Sequence, residues 1–167
     1  AVQGVDVLGG DEAVDVLLGL LADPHPEEAL TTVVRALGQT RSTRAVEPLL
    51  RALDDRILGT RDHFQIVGAL GEIGDRRAVP ALCEALSDTS WYGHVQSSAA
   101  IALMKIGDPS ALPALRAVYL PDRADAPRTD DDEWNGLVEA QQSIRAAIHV
   151  LEKVDRRGEA GREADRG

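Results

Sequence analysis

The sequence predicts an all-α fold, a right-handed α-α superhelix built from about four two-helix repeats. Three observations carry the prediction. The stretch Ile66 to Leu86, IVGALGEIGDRRAVPALCEAL, reads as a helix, a Gly-Asp break and a second helix. It recurs thirty-three residues earlier as VVRALGQTRSTRAVEPLLRAL and thirty-three later as AAIALMKIGDPSALPALRAVY. Leu37, Leu70 and Leu103 therefore share one register, and Leu49, Leu82 and Leu115 share another. Finally, aromatic residues are only 3% of the chain while Ala, Leu and Val are plentiful, a composition suited to helices packed through aliphatic side chains rather than to a β-sandwich.

Residues 1–10 read as an irregular, Gly-rich lead-in. Asp11 is placed to cap a helix that carries Val14, Leu17, Leu18 and Leu21 at helical spacing and stops before Asp23-Pro24-His25-Pro26. One period on, Val16 and Leu20 correspond to Leu49 and Leu53, so this helix is the second half of a truncated first repeat. The next repeat spans helices from about Glu27 to Leu37 and from about Thr43 to Leu53, with Leu30, Val33, Val34 and Leu37 as one apolar stripe. Two more follow, from about Asp62 to Ile73 and Arg76 to Leu86, then Val95 to Ile106 and Ser110 to Leu120.

In the last two repeats the inner turn is Gly74-Asp75 or Gly107-Asp108. Glycine can adopt the left-handed conformation that ends a helix, and aspartate can accept the free N–H groups that begin the next. In the earlier repeat Arg41 and Ser42 take these places. After Leu120 the chain turns to PDRADAPRTDDDE, expected to be an acidic loop over residues 121–132. A last amphipathic helix is predicted from Glu133 with Trp134, Leu137, Val138, Gln141, Ile144, Ile148 and Leu151, ending near Arg156-Arg157. The repeat domain thus covers 11–156, and residues 157–167 read as a flexible tail.

With 28 acidic against 18 basic residues the chain carries a formal charge of −10. A phosphate backbone is repelled on average by such a surface, and Arg51, Lys105 and Arg116 are too few to build a basic stripe, so nucleic acid is not an expected partner. The single Cys83 excludes an intramolecular disulfide and a thiol-rich metal site, which suits a reducing cytoplasm. No stretch approaches the roughly 20 apolar residues of a membrane span, and the first residues do not form a secretory signal. The chain begins without Met, which points to an upstream portion.

The ALGxIGDxxAVPALxxAL pattern, carried by Leu70, Gly71, Gly74, Asp75, Ala78, Val79, Pro80, Leu82 and Leu86, resembles the HEAT repeat. The likeness is to the short HEAT-like form named after phycobilisome lyases. It extends over residues 12–155 and is strongest over 61–120. It implies a HEAT-like solenoid whose second helices line a concave side. That family includes scaffolds, inhibitors, chromophore lyase subunits and nucleic-acid enzymes, so it implies architecture more than activity.

Such a stack leaves its connections free. Three of the four histidines and nearly all the aromatics fall in or beside the longer joins, at 23–26, 54–63, 87–95 and the acidic run up to Trp134. Arg61, Trp91, Tyr92, His94, Asp131 and Trp134 are accordingly the candidate binding residues, set along one rim. The primary reading is a non-enzymatic module that grips a protein or peptide partner on its concave face and acidic rim, with no cofactor, metal, nucleic acid or membrane. The alternative is an enzyme or enzyme subunit of lyase or isomerase type, acting on a small molecule or modified peptide walled by Trp91 and Tyr92. There His63, Asp62 and His94 would be the proton-transfer groups. Each candidate also has a plainer role: His63 as part of the helix stripe, Trp91 and Tyr92 as plugs sealing a join, His94 as a solvated side chain, and the acidic run as a linker. The histidines lack the i, i+4 spacing of a zinc helix, and Cys83 has no nearby histidine to activate it.

Overall fold

A computed structural model of the chain describes residues 10–22, 27–54, 60–88, 93–118 and 131–164, with the backbone alone at 27–29, 60–61, 131–135 and 162–164. Among the described residues the regular structure is helical throughout: α1 Gly10–Ala22, α2 Glu27–Thr40, α3 Val46–Leu53, α4 Thr60–Ile73, α5 Val79–Ser87, α6 His94–Ile106, α7 Leu112–Ala117 and α8 Asp131–Ala164. Short 3-10 turns, Thr43–Ala45, Arg76–Ala78 and Pro109–Ala111, lead into α3, α5 and α7. The chain forms two compact units, Ala1–Ala78 and Val79–Gly167.

In the first unit α2 packs on α1 and α4, and α3 on α4. Val14, Leu17, Val33, Val34, Leu37, Val46, Leu49, Ile66 and Leu70 make its core. In the second, α6 packs on α5 and α8, and α7 on α8, around Leu82, Leu86, Leu103, Leu115, Ile144 and Leu151. The two leucine registers are borne out: Leu37, Leu70 and Leu103 are each 0% exposed, and Leu49, Leu82 and Leu115 at most 1%. Their extension to α1 is not, since Val16, aligned with Leu49, is 46% exposed and Leu17 is buried in its stead. Each buried leucine contributes roughly 1.5–3 kcal/mol relative to an exposed one, so the thirty-three-residue spacing is a spacing of core contacts.

The inner turns form as their residues require. Gly74 and Gly107 take positive φ, 77° and 72°, and their N–H groups donate to the Leu70 and Leu103 carbonyls, closing the helix ends. The Asp75 carboxylate accepts the Arg77 N–H at 2.9 Å, and Asp108 accepts that of Ser110 at 2.9 Å. Arg41 adopts the same left-handed conformation, φ 53°, without glycine's freedom to do so. Ser42 makes no side-chain cap. Instead the Thr40 hydroxyl donates to the Leu37 carbonyl at 2.7 Å and accepts the Ser42 N–H at 3.3 Å.

Arginines on these turns tie successive layers of the first unit. Arg44 pairs with Asp15. One period later Arg77 donates to the Thr43 carbonyl at 3.0 Å and lies 3.6 Å from Glu47. Arg77 also pairs with Asp75 at 2.8 Å, and its hydrogen bonds hold the Asp75 carboxyl below the usual carboxylate range. In the second unit Arg116 reaches Glu152 at 2.7 Å and lowers that carboxyl in the same way.

Several boundaries differ from the sequence expectation. Helix α1 starts at Gly10, so Asp11 lies in its first turn and serves the helix dipole rather than the cap. Helix α7 ends at Ala117, where Val118 turns extended, three residues short of Leu120. Helix α8 begins at Asp131 and runs to Ala164, so the expected loop loses its last two residues and the expected flexible tail at 157–167 is helical through 164. Gly158 and Gly161 weaken that segment by about 1 kcal/mol each, yet no proline interrupts it and Arg, Glu and Ala are strong helix formers. The buried face of α8 also differs: Ala140, Ile144, Ala147 and Leu151 are fully covered, while Leu137, Val138, Gln141 and Ile148 are only partly so. The remainder of the acidic loop, residues 119–130, lies outside the described residues.

Candidate functional site

In the second unit a close approach of backbones brings the start of α6 against the first turns of α8. Gly93 precedes α6 with φ 82°, and a Cβ built on it would lie 2.4 Å from the Gly136 carbonyl carbon and 2.7 Å from the Leu137 nitrogen. Only glycine fits there, both for its conformation and for the space. Farther along, the Ser97 and Ser143 hydroxyls are hydrogen-bonded at 2.9 Å. The two contacts advance together along both helices, so α6 and α8 run in the same direction. The Gln96 amide nitrogen donates to the Asp88 carbonyl at 2.8 Å, tying the first turn of α6 to the end of α5. The end of α5, the start of α6 and the first turns of α8 therefore lie along one edge of this unit.

His94 is the first residue of α6 on that edge, exposed, with Nδ1 3.9 Å from Glu139 Oε2. Asp131 is the first residue of α8 and Trp134 stands one turn on, both placed by their backbone. Trp91 and Tyr92 directly precede Gly93 in sequence and lie outside the described residues. Arg61 belongs to the first unit, as the second residue of α4, and is likewise placed by its backbone alone.

The alternative catalytic set does not share one setting. Asp62 and His63 sit in the first turn of α4 in the first unit, and both are buried rather than on a free rim, at 2% and 8% exposed. They continue the face formed by Ile66 and Leu70, which the thirty-three-residue register fills with Val95 and Gln96 in the second unit. Asp62 Oδ1 has no hydrogen-bond donor. His94 belongs to the second unit, beside a carboxylate and in solvent. Among the described residues no three His, Cys, Asp or Glu side chains come together as a cation site. Burial pushes the Cys83 thiol up, with the Glu84 charge acting in the same direction, so the thiolate that a nucleophile needs is disfavoured.

Sequence reasoning missed Gly93, Gly136, Gln96, Ser97 and Ser143, which set this edge. Their signal is a run of small residues at helical spacing, Gly136, Ala140, Ser143 and Ala147, that lets one backbone approach another. A search for apolar periodicity passes over it.

Among comparisons with known proteins, the family profile for HEAT repeats matches residues 64–130, and the profile for the PBS lyase HEAT-like repeat matches residues 31–55. No curated protein matches the chain. No helix among the described residues is long and apolar enough to cross a membrane.

Proposed function

Since the chain is a HEAT-like repeat protein, we propose that it is a helical-repeat scaffold that binds a protein or extended peptide, without catalysing a reaction on it. The observation that carries this reading is the Gly93–Gly136 contact, which draws His94 and the Asp131–Trp134 turn to one edge of the second unit. An edge whose sequence carries Trp134 beside Asp131, Asp132 and Glu133 suits a partner with an apolar contact and basic flanks. The formal charge of −10 favours the same kind of partner and repels nucleic acid. Together with Arg61 in the first unit, Trp91, Tyr92, His94, Asp131 and Trp134 are the residues assigned to this binding. We place the activity in the cytoplasm, where the lone Cys83 stays reduced.

The test is isothermal titration of an isolated partner against the wild type and against Trp91→Ala and Trp134→Ala, with helix content followed by circular dichroism. Loss of at least tenfold in affinity at unchanged helix content is expected. Full retention by both variants would overturn the assignment.

A further inference from the structure

Two buried side-chain atoms among the described residues lack a hydrogen-bond partner, Asp62 Oδ1 and Gln96 Oε1. Both are acceptors, and each belongs to the first turn of a helix, α4 or α6. For Gln96 the loss is shared, because its amide nitrogen is engaged by the Asp88 carbonyl. Asp62 is the more costly case. A carboxylate oxygen removed from water without a donor is destabilising, more so than a neutral amide oxygen.

The fold supplies its own control. One period later the corresponding residue is Val95, 1% exposed, which fills the position with apolar atoms and leaves nothing unpaired. On packing grounds an apolar group of similar size suits that place better, since nothing would be left unpaired, and the small dipole benefit of an acid in the first turn of α4 offsets this only in part. A buried carboxylate oxygen without a donor, at a place the neighbouring repeat fills with valine, calls for a donor from outside the chain.

We propose that Asp62 receives a cationic side chain, the guanidinium or ammonium group of a basic partner segment. Such a group brings the N–H donors that Oδ1 lacks and neutralises the carboxylate in a setting where a charge-assisted hydrogen bond is stronger than in water. Asp62 is 2% exposed, so the cation reaches it only as the contacts that cover it open. The net charge of −10 draws such a ligand in. The inference rests on the partner-binding reading above and names the partner's contact group.

The experiment uses the full chain with synthetic peptides alternating Gly with Arg, Lys or Asp. Affinity is read by titration calorimetry and melting temperature by calorimetric scanning, for the wild type, Asp62→Val and Asp62→Asn. The Arg or Lys peptide binds the wild type, with the tighter of the two identifying the cation, and the Asp peptide does not. Asp62→Val melts higher than the wild type by about 4 °C in the absence of peptide and binds the basic peptides at least tenfold more weakly. Asp62→Asn, which preserves shape, loses the same affinity. Equal binding by the variants, which removal of one charge among so many would allow if attraction were only general, overturns the proposal. A lower melting temperature for Asp62→Val also overturns it, since Asp62 would then be structural. If the basic peptides bind none of the proteins while Trp91→Ala and Trp134→Ala abolish binding of an isolated partner, the Asp62 inference falls and the scaffold reading stands.

Discussion

The helix pair α2 and α4 in the first unit and the pair α6 and α8 in the second answer the same packing problem with glycine at opposite ends. In the first unit Gly38 lies near the C-terminal end of α2, where an added Cβ would sit 2.9 Å from the Ala69 Cα and 3.1 Å from its Cβ. In the second unit Gly93 lies just before the N-terminus of α6, against the Gly136 backbone. The close approach therefore falls beside the inner turn in one unit and beside the longer join in the other. At the join end, the first unit buries the large polar Asp62 and His63. The second unit has there a backbone contact followed by the Ser97–Ser143 bond. One repeat pattern thus tolerates two placements of its tightest contact, and the placement decides what chemistry each join end can hold.

Gly93→Val is the harshest way to break this contrast. Left-handed backbone is costly for a β-branched residue, and the new atoms would enter the Gly136 backbone, so about 4 kcal/mol of stability should be lost. Chemical denaturation measures the total, and hydrogen exchange should show the loss in α6 and α8. Next come Leu37→Ala and Leu103→Ala, one in each unit, both fully buried at matching register. Each should cost about 3 kcal/mol; a difference of several kcal/mol between them in parallel denaturation curves would show that the two cores are not equivalent.

Gly38→Ala should cost only about 1 kcal/mol, because the gain in helix propensity offsets part of the crowding against Ala69. A loss as large as that of Gly93→Val would remove the distinction between the two ends. Arg41→Gly should stabilise the first unit by about 0.5–1 kcal/mol, since glycine occupies the corresponding left-handed positions Gly74 and Gly107 at no steric cost. A calorimetric scan reads this as a rise in melting temperature.

The smallest effect concerns acid. Hydrogen bonds from Arg77 lower the Asp75 carboxyl in the folded state. The sign follows: its contribution is present above the ordinary carboxylate range and is lost as pH falls through the lowered folded value. Asp75→Asn should therefore flatten the melting-temperature profile between neutral and acid pH. An unchanged profile would assign the acid sensitivity elsewhere, with Glu152 beside Arg116 as the counterpart in the second unit.

The parts of the fold readable in advance are those where one residue type has one physical job. Leucines at a thirty-three-residue interval must be core, and Gly74 and Gly107 before aspartate must be turns. Even Arg41 could be placed, because position outweighed its unsuitability for positive φ. The α6–α8 contact escaped because alanine, serine and glycine carry little hydrophobic signal, although they permit the closest packing. The extent of α8 escaped because a polar sequence rich in Arg and Glu does not reveal whether it is loop or solvated helix. Asp62 reads as a rim residue from its place in a join, but α4 starts at Thr60 and turns it onto its buried face, together with His63, whose reading as part of the helix stripe is the one that holds. Trp91 and Tyr92, central to the sequence reading, lie outside the described residues.

Helix α8 is 34 residues long, and its length has a mechanical side. From Gly136 to Ala164 the helix extends about 42 Å at 1.5 Å per residue, and its stretch from Arg156 to Gly161 is exposed. Ala140, Ile144, Ala147 and Leu151 hold the nearer part of the helix in the core of the second unit, so bending is confined to the turns beyond Leu151. A pair of fluorescent labels, one near Leu151 and one near Ala164, would read that bending as a change in their separation.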